Sequence, residues 1–263
     1  MLFGAIWAFI FSPCLSLNKY EVLFLLILCE RFYLFYRIFV AISMVFCPML
    51  FNCSLLLSSS FFKNKICRVT ITLPKWAIEY YDSLQDVEFT TDDEMMNVAV
   101  ELSARNVKYD TGGPFGCAIY ERDTATKKCK LFSVGVNRVV ALNNSTCHGE
   151  MVAIQLAQQK LGKFSLSSSS GSDGGSTKEY VLHTSCEPCA MCLGGTFWSG
   201  VCELCCSATK DDAEAIGFDE GPVFPQSYDH LMNNGMIVKR KIIRDQGAKV
   251  LQEYGKTGVI YNG

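Results

Sequence analysis

The chain has 263 residues, 49% hydrophobic and 19% charged, with a formal net charge of −2. That balance excludes a disordered chain, which would be charge-rich and poor in apolar side chains, and a generic polyanion binder, which would be strongly basic. The average conceals two unlike parts: residues 1–67 carry five basic and two acidic side chains and 11 of the 18 Phe, whereas residues 68–263 carry 19 basic and 24 acidic ones, a net of −5.

In chain order, residues 1–18 contain no charged side chain, and residues 38–62 form a second uncharged run of 25. The second run exceeds the roughly 20 residues a helix needs to cross a bilayer core, although Pro48 and Ser58–Ser60 weaken it. A signal peptide would start with basic residues, and none precedes Lys19. Residues 1–67 are therefore read as an apolar segment, either a membrane anchor through residues 1–62 or a non-native extension. As an anchor, Lys63, Lys65 and Arg68 would keep the rest of the chain on the cytosolic side. Residues 68–263 read as one globular domain.

Within that domain, Thr91 followed by Glu94 is a capping-box pattern, and Met95, Met96, Ala99, Val100 and Leu102 continue it at helical spacing. Asp110–Pro114 breaks the chain. Phe115–Tyr120 and Lys130–Val136 read as paired strands around a polar turn at Arg122–Lys128. A helix follows His148. Residues 165–177, with seven Ser and three Gly, read as a flexible loop. Tyr180–His183 is a strand, Cys189–Trp198 a helix, Val201–Ala208 and Met236–Arg240 strands, and Arg244 to Tyr254 a final helix. Strands alternating with helices predict a layered α/β domain. His183 and His230 read as an ordinary strand residue and a surface residue.

Chemistry concentrates in Cys147-His148-Gly149-Glu150 and Glu187-Pro188-Cys189-Ala190-Met191-Cys192. Imidazole and two thiolates suit zinc, and three protein ligands leave a fourth position open, the layout of a catalytic site. His148, Cys189 and Cys192 supply the three. Glu150, two residues beyond the histidine, is placed to move protons beside the metal. Both motifs fall at predicted helix starts, which favour thiolates. A redox Cys-x-x-Cys has no use for His-x-Glu. An iron–sulfur site would draw on Cys186 and one of Cys202, Cys205 or Cys206; those cysteines lie in apolar, strand-like surroundings and read as packing.

The whole pattern resembles the cytidine deaminase superfamily, the zinc deaminases of nucleobases and nucleosides. Gly112-Gly113-Pro114-Phe115-Gly116, Gly135-Val136-Asn137, His148-Gly149-Glu150, Ser185–Cys192 and Trp198-Ser199-Gly200-Val201 are similar to its guanine deaminase branch, as are Glu214–Gly221 and the ending Gly258–Asn262. The resemblance spans residues 70–263. It implies a three-layer α/β fold with a mixed five-stranded sheet and helices on both faces. It implies Zn2+ on His148, Cys189 and Cys192, proton shuttling by Glu150, and Glu220 assisting proton transfer or recognising ring N–H groups. Asn137, Phe115, Trp198 and Asp219 would bind the substrate. The implied reaction is hydrolysis of guanine to xanthine and ammonia. The alternatives are a cytosine, cytidine or other nucleoside deaminase, a tRNA adenosine deaminase, and a non-catalytic membrane-anchored zinc scaffold. The acidic domain weighs against nucleic acid as substrate. The resemblance further implies a homodimer, with Tyr254 and Tyr261 closing a pocket. The 14 Cys point to a reducing, cytoplasmic compartment. The family usually has Ala where this chain has Gly149, which costs helix stability by roughly 0.5–1 kcal/mol and leaves both neighbours in place.

Overall fold

The Thr91 capping box forms as the sequence predicts. Its hydroxyl accepts from the Glu94 N–H at 3.3 Å, and the Glu94 carboxylate accepts from the Thr91 N–H at 3.2 Å. These bonds satisfy helix-start donors that would otherwise be unpaired. The computed structural model describes residues 69–167 and 178–262. The expected apolar segment 1–67 lies outside the described residues, as does most of the Ser/Gly-rich loop. No helix among the described residues is long and apolar enough to cross a membrane.

The elements run α1 (Lys75–Ser83), β1 (Glu88–Phe89), α2 (Asp92–Lys108), β2 (Gly116–Asp123), β3 (Cys129–Val136), α3 (Val139–Leu142) and α4 (Gly149–Leu161). They continue with β4 (Lys178–Cys186), α5 (Ala190–Ser199), β5 (Glu203–Ala208), α6 (Lys210–Glu214), α7 (Pro225–Asn233), β6 (Ile237–Lys239) and α8 (Arg244–Gly255). The sheet order is β1-β3-β2-β4-β5-β6. β1, β3, β2 and β4 pair antiparallel, while β4, β5 and β6 are parallel. The five expected strands are all present. The sheet has six, because Glu88–Phe89 adds an edge strand of two residues, too short to show a period of two. The strand expected to turn at Arg122 runs on to Asp123, whose carboxylate then caps the turn by accepting from the N–H groups of Ala125 and Thr126 at 2.9 and 2.7 Å.

Alternation along the strands divides the core. Cys117, Ile119, Leu182, Leu204 and Cys206 face α4, α5 and α7. Ala118, Tyr120, Val134 and Val136 face α2, and Cys205 packs with Met96 and Ala99 of α2 beside residues of α8. Two apolar faces on one sheet require helices on both sides. At the start of the Ser/Gly-rich stretch, Leu166 is buried and its N–H donates to the Ser199 carbonyl at 2.7 Å, so that end of the loop is tied down.

Candidate active site

His148 and Cys189 occupy equivalent positions. Each is the residue before the first turn of its helix, in extended conformation (φ −67° and −64°). Neither side chain caps its own helix, so both are free to face each other. Cys189 Sγ lies 3.5 Å from His148 Nδ1, and the ligand atoms of His148, Cys189 and Cys192 all lie within 4.8 Å of one another. A zinc tetrahedron with ordinary Zn–N and Zn–S bonds has an N···S edge of about 3.6 Å. Among the described residues this cluster holds three such side chains, leaving a fourth position open, so the donor set fits zinc.

The two thiols differ in their electrostatics: the hydrogen bond to Cys189, and then burial, push the Cys192 thiol up, while Cys189 moves the other way. A hydrogen bond from Cys192, and then the neighbouring His148, bring the Cys189 thiol down to about 4, so it is a thiolate at neutral pH. Glu150 is buried, and burial followed by the charge of Cys189 raises its pKa. Burial, then Cys189 and Glu150, push Glu220 up to about 8. Carboxyl groups of this kind exchange protons more readily near neutrality than an exposed Glu does.

The cavity beside these groups is lined by Phe115, Asn137, Glu187, Phe218, Asp219, Tyr261 and Asn262, together with His148, Glu150, Cys189 and Glu220. Of the residues expected to bind substrate, Phe115, Asn137 and Asp219 therefore reach it. Trp198 does not line it and is 79% exposed. It stands nine residues beyond Cys189 on α5, about 13 Å along the helix axis. Its ring meets Phe197 edge-on at 5.2 Å.

Asn137 is fixed from both sides. Its N–H donates to the Phe115 carbonyl at 3.0 Å, and its side-chain oxygen accepts from the Val139 N–H at 3.2 Å. Asn106, wholly buried on α2, donates to the Gly113 and Asn137 carbonyls at 2.8 and 3.0 Å. It thereby ties the glycine-rich turn to the end of β3. Sequence reasoning missed Asn106; its signal was a polar residue four positions after Leu102 on the apolar stripe. Glu187 was also given no role of its own. It is buried, pairs with Arg240, and accepts from the Lys210 N–H at 3.0 Å.

The loop bearing Asp219 and Glu220 is pinned at two points. The Ala190 N–H donates to the Glu220 carbonyl at 3.0 Å, and the Asp219 N–H donates to Asn262 Oδ1 at 2.9 Å. Phe218 meets Phe115 edge-on at 4.9 Å and Tyr261 at 5.6 Å, and stacks on Tyr254 at 6.0 Å. Tyr261 thus lines the cavity of its own chain, and Tyr254 stands behind it against Phe218. Gly113 leaves the room the Tyr261 hydroxyl fills, since a Cβ there would stand 2.2 Å from it.

Residues 89–208 match the family described as the cytidine and deoxycytidylate deaminase zinc-binding region. The chain is 33% identical over 128 residues to a guanine deaminase of Bacillus subtilis (strain 168), covering 49% of this chain and 71% of that protein. It is similar to the solved guanine deaminase from Nitrosomonas europaea, with a TM-score of 0.61 and 34% identity over 72% of this chain and 97% of that one. A solved structure of NE0047 in complex with 2,6-diaminopurine matches with a TM-score of 0.62 and 37% identity, over 73% and 96% of the two chains.

Proposed function

This chain belongs to the cytidine deaminase superfamily, in its guanine deaminase branch, and we propose that it hydrolyses guanine to xanthine and ammonia at one zinc ion. The observation that carries this reading is a convergence in one cavity. A nitrogen–sulfur donor set, a buried carboxylate two residues from its histidine, and an acceptor-rich wall meet there. His148, Cys189 and Cys192 would hold the zinc. When bound, zinc supplies the Lewis acidity that lets water act as a nucleophile near neutral pH.

The chain's own residues do the rest. Glu150 takes the proton of the attacking water and returns protons to the ring nitrogen and the departing amine. Guanine presents N1–H, an amino group and N9–H as donors, and Asp219 and Glu220 offer carboxyl oxygens to them. Asn137, with its oxygen already engaged by Val139, has its amide N–H groups for a ring acceptor. Phe115 supplies an apolar wall. The raised pKa of Glu220 suits proton traffic near neutral pH.

Ammonia release from guanine, guanosine, cytosine, cytidine and adenosine tests the reading, with guanine expected to turn over fastest. Turnover confined to cytidine or cytosine overturns the substrate, and zinc bound without any turnover favours a scaffold. We assign catalysis to residues 68–263 and a homodimer as the working form, which activity of a chain beginning at residue 68 and sedimentation velocity test. Cell fractionation tests attachment through residues 1–62.

A further inference from the structure

A second cluster of ligand-type side chains lies on the α2 face of the sheet, away from the cavity. Asp92 is the first residue of α2, His183 is on β4 and Cys205 on β5. One ligand atom from each lies within 4.8 Å of the others. His183 is wholly buried, and neither of its ring nitrogens has a hydrogen-bond partner. Such a buried imidazole is costly unless something occupies it. Its Nε2 stands 3.7 Å from Asp92 Oδ1. That is too long for a hydrogen bond, but close to the N···O edge of a zinc tetrahedron, about 3.4 Å.

We propose that Asp92, His183 and Cys205 form a second metal site, for zinc or a similar late first-row divalent cation. Nitrogen, oxygen and sulfur donors together suit such an ion and not magnesium or calcium.

Charge supports occupancy. Asp92 and Glu203 share the Lys239 ammonium at 2.8 and 2.6 Å, and Arg122 bridges Glu203 and Glu179. Three carboxylates against two cations leave one negative charge. A divalent ion, with loss of the Cys205 proton, brings the cluster to neutrality. Lys239 is the resident cation that the metal must partly displace. It is 42% exposed and Asp92 32% exposed, so the ammonium can swing outward and the same opening admits the ion. Occupancy would tie α2, β4 and β5 together. The proton released from Cys205 makes binding weaken as pH falls.

The test strips the full chain with a chelator, reloads it with zinc, and measures metal per chain by mass spectrometry. Two equivalents are expected in the wild type. Cys205→Ser should hold one and keep more than half of the turnover, and Cys189→Ser should hold one and lose turnover. Cobalt in place of zinc should add a thiolate-to-cobalt absorption that Cys205→Ser removes. Lys239→Met, which deletes the competing cation, should bind the second ion about ten-fold tighter or more. A single equivalent in the wild type, a second equivalent that survives Cys205→Ser, or unchanged affinity in Lys239→Met would each overturn the site. Should Cys205→Ser not fold, His183→Gln and Lys239→Met decide the matter in its place.

Discussion

Gly135 sits on β3 where α4 crosses it. A Cβ at this position would stand 2.0 Å from the Gly149 carbonyl oxygen and 2.5 Å from the Ala153 nitrogen. Both are backbone atoms, so no side chain can rotate away. Gly135→Ala therefore requires α4 to retreat by about 1.4 Å before the 2.0 Å approach reaches an ordinary contact of 3.4 Å. Ser133 resists that movement, because its hydroxyl donates to the Ala153 carbonyl at 2.9 Å. Overpacking of this kind costs about 1–3 kcal/mol. The retreat also carries His148 and Glu150, which open α4, and a shift of about 1 Å at reacting groups costs on the order of 100-fold in rate. Gly194→Ala is the matched control. A Cβ on Gly194 meets nothing within 4 Å, so it should gain roughly 0.5–1 kcal/mol of helix stability with turnover unchanged. Denaturation midpoints, zinc content and kcat for guanine are the measurements. A Gly135→Ala protein with wild-type midpoint and kcat within two-fold would refute the claim that this contact sets the position of His148.

Glu150→Gln should retain zinc and lose about 100- to 10,000-fold in turnover, read by metal analysis beside ammonia release. Gly149→Ala should change stability by less than about 1 kcal/mol, because the helix gain is opposed by a Cβ lying 3.3 Å from the Phe115 carbonyl; loss of zinc from this variant would show that the glycine is required. Arg240→Ala leaves the buried Glu187 carboxylate without its cation and should cost roughly 3 kcal/mol, measured by urea denaturation. Burial raises the Asp212 carboxyl, but Arg244 and Thr209 outweigh it and hold the group below its ordinary value. Its contribution is present above the unfolded pKa near 4 and fades as pH falls through the lower folded value. Asp212→Asn keeps an oxygen for the Thr209 N–H but loses the charge facing Arg244; it should therefore cost up to about 1 kcal/mol at pH 7 and converge on wild type in acid.

Where the chain carried a strong local signal, the sequence already told the structure. The Thr91 box, the polar turn between β2 and β3, and the helix starts at His148 and Cys189 depend on residues a few positions apart. β1 was illegible because two residues have no periodicity; Glu88 and Phe89 become a strand only by pairing with Lys130 and Cys129. α1 begins after Pro74 with no side-chain cap, so nothing in the sequence announced its start. The family resemblance implies a place for Trp198 at the substrate. Its place one turn after another down α5 carries it out of the cavity. His183 read as an ordinary strand residue, since the partner that gives it meaning, Asp92, lies 91 positions away.

The site itself follows from strand direction, which no local pattern encodes. β2 and β4 are antiparallel with Cys117 opposite Thr184, so β2 begins where β4 ends. β2 and β3 are antiparallel with Gly116 opposite Val136, so β3 ends at that same edge. β4 and β5 are parallel with Cys186 opposite Ala208, so β5 ends there too. Phe115, Asn137 and Glu187 each lie immediately outside one of these strand ends, and the loop carrying Glu220 follows the last of them by way of α6. Ligand sites of open α/β sheets form outside the carboxyl ends of parallel strands. Here the antiparallel pair adds a third and a fourth chain end to that edge. Helices α4 and α5 also begin there, and their positive N-terminal ends hold His148 and Cys189 facing one another. A fully parallel sheet would have sent the start of β2, and Phe115 with it, to the opposite edge, away from His148 and Cys189. The reversed direction of β2 between β3 and β4 is thus what lets the stretch before β2 join the one after β3 and the two helix starts around a single heterocycle.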